Sequence, residues 1–183
     1  MVDFMENIMC NVLCLGSDIQ VPTSEWTRDN PRFCVQEFEE NDRDVKRNFS
    51  KSYAYYLRSD QGCGCGFEFD DKEELKELEE WSREWENLSP EKKEVIKWSP
   101  SDQFEDYSRG KKCCDDLVNL IRQLLNNTDE LELYAVLQDP DHTLMHTTTK
   151  TITPDDIIID GRFDLFPENR SERILYKVKS EKR

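Results

Sequence analysis

The residues best suited to chemistry in this chain are Cys63 and Cys65, set in the run Ser59-Asp60-Gln61-Gly62-Cys63-Gly64-Cys65-Gly66-Phe67. The chain has only six glycines, and three of them alternate with these two thiols. Glycine tolerates positive φ and lets a backbone approach another group closely, so the run reads as a tight loop that presents thiols. Two chemistries follow. Both thiolates can be aimed at one soft metal ion, with zinc the ion expected. Alternatively they can be oxidised to a small, strained disulfide that is easily reduced. Arg58 would lower a thiol pKa here, whereas Asp60, Glu68 and Asp70 would raise it. The bland alternative is a structural turn, its cysteines packed as small apolar groups.

A closed zinc site needs four ligands, usually supplied as two pairs. Further candidates are Cys10, Cys14, His142 and His146. Cys10 and Cys14 are four apart, which on a strand spans about 13 Å, too far to share one ion. His142 and His146 meet the same objection on a strand; on a helix they would share a face, but Thr147-Thr148-Thr149 disfavours a helix there. Cys113 and Cys114 are adjacent on a helix and point about 100° apart. Those two, like Cys34, read as core. A Cys–His catalytic pair through either histidine has no local signature. A phosphate cradle is excluded, since the glycine spacing is G-x-G-x-G, no P-loop lysine follows, and the next helix opens with acids. Acid pairs such as Asp70-Asp71 and Asp155-Asp156 are expected by chance among 40 acids.

Composition bounds the class of answer. The chain has 183 residues, 36% hydrophobic and 36% charged, with a net charge of −15. This length supports one domain over 1–183 with a real core, its first eight residues reading as a poorly ordered leader and Met9 as an equally good start. Phosphate-neutralising nucleic-acid binding and attachment to an anionic membrane both need a basic surface, and neither is expected. No window approaches a membrane span. Seven cysteines, irregularly spaced, follow an N-terminus that carries acids where a signal peptide needs bases. Free thiols in a reducing cytoplasm are the expectation.

The elements that must position the thiols follow from period. Asn11 to Leu15, Phe33 to Phe38 and Ser52 to Leu57 read as strands, the last running directly into the Cys-Gly loop. Asp70 to Leu88 reads as a helix with the apolar stripe Leu75, Leu78, Trp81, Trp85 and Leu88. Its other faces are charged: Glu68 to Glu86 holds ten acids against three bases, a local charge of −7. Trp81 and Trp85 read as core, or, if left uncovered, as hot spots for a partner. Glu77, Glu80 and Glu84 would then steer a basic protein to that helix. Short helices are expected near 90–98 and 100–108, with Gly110 as punctuation before a helix over 111–126. The period then changes to two. Leu131 to Leu137 reads as a strand, Asp139-Pro140-Asp141 as a turn, Leu144 to Ile152 as the returning strand of a hairpin, and Arg173 to Lys179 as a final strand.

The pattern predicts α+β: a mostly antiparallel sheet of the N-terminal strand, the 131–152 hairpin and the last strand, with helices 70–88 and 111–126 on one face. The runs Cys10-Asn11-Val12-Leu13-Cys14-Leu15-Gly16 and Tyr55-Tyr56-Leu57-Arg58-Ser59, continuing to Gly62-Cys63-Gly64-Cys65-Gly66-Phe67, resemble a group of small uncharacterised bacterial proteins carrying a GCGCGF loop. The resemblance covers the first third of the chain and transfers no activity. Two readings of function remain: a metal or thiol protein acting through Cys63 and Cys65, and an acidic interaction or inhibitor module acting through the helix at 70–88.

Overall fold

A computed structural model of the chain describes residues 11–67, 70–137, 145–166 and 172–180. Its strands are β1 (Asn11–Ser17), β2 (Cys34–Glu37), β3 (Tyr53–Arg58), β4 (Glu130–Leu137), β5 (Thr148–Ile152), β6 (Ile158–Ile159), β7 (Arg162–Phe163) and β8 (Ile174–Lys179). Its helices are α1 (Arg43–Lys46), α2 (Asp71–Glu86), α3 (Pro90–Val95) and α4 (Pro100–Leu125). Six strands form one sheet in the order β2-β3-β1-β4-β8-β5, antiparallel throughout except for the β5–β8 pair. The expected α+β class is therefore the observed one.

The central strands are apolar on both faces because both faces are covered. Leu13 and Leu15 of β1, Tyr55 and Leu57 of β3, and Leu131, Leu133 and Ala135 of β4 point to the α4 side. They meet Cys114, Leu117, Ile121, Leu124 and Leu125, the three-and-four spaced stripe of α4. The alternate residues Val12, Cys14, Tyr56, Tyr134, Val136 and Leu175 form a second, smaller core on the opposite face. Phe38, Val45 and Phe49, from the segment around α1, close over it. Glu132 is buried on that face at 1% exposure, and Ser50 satisfies it by donating from its backbone N at 2.8 Å and its Oγ at 2.6 Å.

Three expectations are corrected. Gly110 does not punctuate: α4 is a single helix of 26 residues, capped by Ser99 with Asp102 in a reciprocal capping box. The segment 144–152 does not return along β4; β5 runs parallel to β8, and β8 lies between them. The turn expected at 139–141 lies outside the described residues. Finally, α2 does not lie on the sheet as a second cover. It packs chiefly on α4, and Leu78 is its single buried residue.

Candidate functional site

The Cys-Gly loop begins where β3 ends, and each of its turns is fixed by backbone bonds. Ser59 N–H donates to Cys63 O at 2.8 Å and Gly62 N–H to Ser59 O at 3.0 Å. Gly62 sits at φ +77°, and the Trp26 ring covers it so closely that an added Cβ would lie 3.0 Å from Cε2. Trp26 Nε1 also donates to Asp60 O at 2.8 Å. Gly64 N–H then donates to Asn11 O at 2.7 Å, laying the loop beside the start of β1. A Cβ on Gly64 would come within 2.6 Å of that same oxygen. Cys65–Phe67 forms one 3-10 turn, anchored by the fully buried Phe67 between Phe33 and Phe163.

This loop separates two cavities, and the two thiols line different ones. Cys63 lines a cavity of about 350 Å³ on the face of the sheet opposite α4. Tyr56 and Arg58 of β3, Gln36 of β2, Asn11 of β1 and Asp42 before α1 share its wall. Tyr56 and Arg58 point there because alternate residues of a strand share a face. Tyr56 Oη donates to Asp42 Oδ1 at 2.7 Å, and burial together with that bond holds the phenol protonated, well above its usual range. Arg58 Nη1 donates to Gly62 O at 2.9 Å, tying strand to loop, while its guanidinium lies 5.7 Å from the Tyr56 ring centre. Cys65 lines the other cavity, of about 590 Å³, between the loop, α2 and α4. The thiols remain linked through the backbone: Cys65 N–H donates to Cys63 Sγ at 3.4 Å and Asn11 N–H to Cys65 Sγ at 3.2 Å.

Among the described residues, no three His, Cys, Asp or Glu side chains gather closely enough to hold a metal ion. Cys14 lies fully buried in the smaller core, where burial and then Asp42 push its thiol far up. His146 is tied to Asn48, its backbone N–H donating to Asn48 Oδ1 at 2.7 Å and its Nδ1 lying 3.3 Å from the same oxygen. Cys10 and His142 lie outside the described residues. Burial pushes the Cys113 thiol up to about 11, Cys114 up to about 12, and Cys34 upward. These core thiols are held un-ionised at neutral pH.

On α2, Glu77, Glu80 and Glu84 are exposed, as expected. Trp81 and Trp85 are neither core nor bare: both are half-buried and pack edge to face, 5.7 Å apart. Glu77 also lines the larger cavity. Sequence reasoning missed Asn11, Asp42 and Tyr56 on the smaller cavity and Glu74 and Arg109 on the larger. The alternation of β3 carried a signal for Tyr56, which must share a face with Arg58; no local pattern marks the others.

No family model, curated protein or solved structure matches the chain. No helix among the described residues is long and apolar enough to cross a membrane.

Proposed function

We propose that the protein binds a small molecule in the cavity beside β3, with Cys63 as the thiol that meets it. The observation that carries this reading is the place of Cys63 on the wall of a half-open cavity with Arg58 and the Tyr56–Asp42 pair. A volume of about 350 Å³ falls in the range of small-molecule sites. Arg58 and Asn11 line the same cavity, so polar side chains of both donor and acceptor kind lie beside the thiol, as small-molecule sites require.

The test is brief alkylation of the native protein with iodoacetamide, followed by peptide mass mapping. Cys63 is expected to be modified ahead of Cys14, Cys34, Cys113 and Cys114, which burial protects. Equal labelling of Cys63 and the core thiols overturns the proposal. Elemental analysis of the same preparation is the companion measurement. Stoichiometric zinc, lost in a Cys63→Ser/Cys65→Ser variant, would replace the thiol reading with a metal one.

A further inference from the structure

The smaller cavity sets its polar groups in a line, and hydrogen bonds fix their order. Arg58 Nη1 donates to Gly62 O at 2.9 Å, which brings the guanidinium to the residue preceding Cys63. The same guanidinium lies 5.7 Å from the centre of the Tyr56 ring. Tyr56 Oη donates in turn to Asp42 Oδ1 at 2.7 Å. Glu39, whose backbone N–H donates to Asp42 Oδ2 at 2.7 Å, adds a second carboxylate at that end. Thiol, guanidinium, phenol and carboxylates thus follow one another along one wall.

This order selects a ligand by its charge pattern. The bond to Gly62 O uses only part of the guanidinium's donor set, and a guanidinium is the side chain best matched to a carboxylate. Asp42 and Glu39, at the far end, match an ammonium. A purely anionic ligand would meet two carboxylates there, and a purely cationic one would meet Arg58. A zwitterion satisfies both ends. The net charge of −15 draws cations to the whole surface, so a preference for a zwitterion over a cation has to come from this wall. The thiol at the near end adds a chemistry of its own, exchange with a disulfide.

We propose that the cavity takes a small disulfide bearing an amino-acid head group, and that Cys63 exchanges with it; this rests on the reading of Cys63 as the thiol that meets a small molecule. The ligand's carboxylate sits on Arg58, its ammonium on Asp42 and Glu39, and its sulfur on Cys63. The Cys63 thiolate attacks one sulfur of the ligand. The ligand's S–S bond breaks, a new S–S bond joins Cys63 to half of it, and the other half leaves as a thiolate. That thiolate takes up the proton that the Cys63 thiol gave up. One disulfide replaces another, so no separate oxidant is consumed. Cys65 lines the other cavity and takes no part. Cystine and glutathione disulfide both carry this head group.

The test exposes the native full chain to cystine, glutathione disulfide, cationic cystamine, anionic 3,3′-dithiodipropionate and neutral hydroxyethyl disulfide. Fragmentation mass spectrometry follows the mass gained on Cys63. Dividing each rate by that of Cys63 in the urea-unfolded chain cancels the reagent's own reactivity. Cystine or glutathione disulfide should then lead cystamine and hydroxyethyl disulfide by about tenfold, and the faster of the two identifies the source. Arg58→Gln should remove that lead and leave hydroxyethyl disulfide within about twofold. Glu39 is exposed, so Glu39→Gln decides even if Arg58→Gln loosens the loop. It should slow the leading zwitterion and speed 3,3′-dithiodipropionate. Equal rates for the zwitterions and hydroxyethyl disulfide, or cystamine fastest of all, overturn the proposal. If iodoacetamide still selects Cys63, that result leaves the thiol reading standing; if no reagent selects Cys63, both fall together.

Discussion

Gly64 shows how a single residue sets the position of both thiols. Its amide holds the loop to Asn11 O, and its missing side chain lets the two backbones meet. Gly64→Ala would put a methyl 2.6 Å from backbone, which cannot rotate away as a side chain could. The expected cost is about 1–3 kcal/mol in urea unfolding, as for other overpacked sites, with faster alkylation of Cys65 as the loop lifts. Asp60 makes the opposite case. Its folded pKa is raised, so the native state holds the proton more tightly than the unfolded chain does. Stability from this group is present in acid and is lost as pH rises through the folded value. Asp60→Asn should therefore unfold at higher urea than the parent at pH 7, with the gain vanishing below about pH 4. An unchanged or lower midpoint at pH 7 would contradict this. The thiol loop was legible in the sequence, because glycine and cysteine alternate nowhere else in it. The separation of its two sulfurs onto two cavities was not, since a Cys-x-Cys spacing says nothing about which neighbours each thiol will meet.

At the scale of elements, α4 and α2 behave differently although both have helical period. The apolar face of α4 from Cys113 to Leu125 is buried against the sheet. Gly110 costs a helix interior about 1 kcal/mol, and the packing that follows it together with the Ser99 capping box offsets that cost. A propensity-based stop was therefore expected where the tertiary structure carries the helix through. By contrast, α2 has one buried residue, Leu78, and is tied to α4 by Asp71, which accepts from Tyr107 and from Lys111 Nζ at 2.8 Å. Amide exchange should be measurably faster across α2 than across residues 113–125 of α4, the difference reflecting sub-global opening. Equal protection would mean that α2 is held by more than these contacts. The apolar stripe Leu75, Leu78, Trp81, Trp85 and Leu88 was readable; that only Leu78 would be fully buried was not, because period reports amphipathicity and not the partner available. The hairpin failed for a related reason. Alternation identified β5 and β8 as strands, but adjacency in sequence suggested the wrong neighbour.

For the whole molecule, a net charge of −15 is spread unevenly, and the acid-rich run from Glu68 to Glu86 includes all of α2. Self-repulsion of this size opposes compaction, and screening should relieve it. Raising sodium chloride from about 10 mM to about 500 mM, which shortens the screening length to a few ångströms, should raise the midpoint of thermal unfolding. A fall would show that the ion pairs outweigh the repulsion. Among those pairs, Glu130 meets Lys51, Lys177 and Lys179 at 3.3–3.7 Å and joins β4 to β8. The placing of β8 also has a consequence for synthesis. Because β8 lies between β4 and β5, the ribosome delivers β5 before β8, the strand it pairs with among the described residues, exists. At five to twenty residues per second, β5 waits roughly one to five seconds with its hydrogen bonds unmade. Meanwhile β1, β3 and β4 can already assemble, leaving the outer edge of β4 open to any other strand that reaches it. The order of translation thus makes the arrival of residues 174–179 the step that both completes the sheet and seals it.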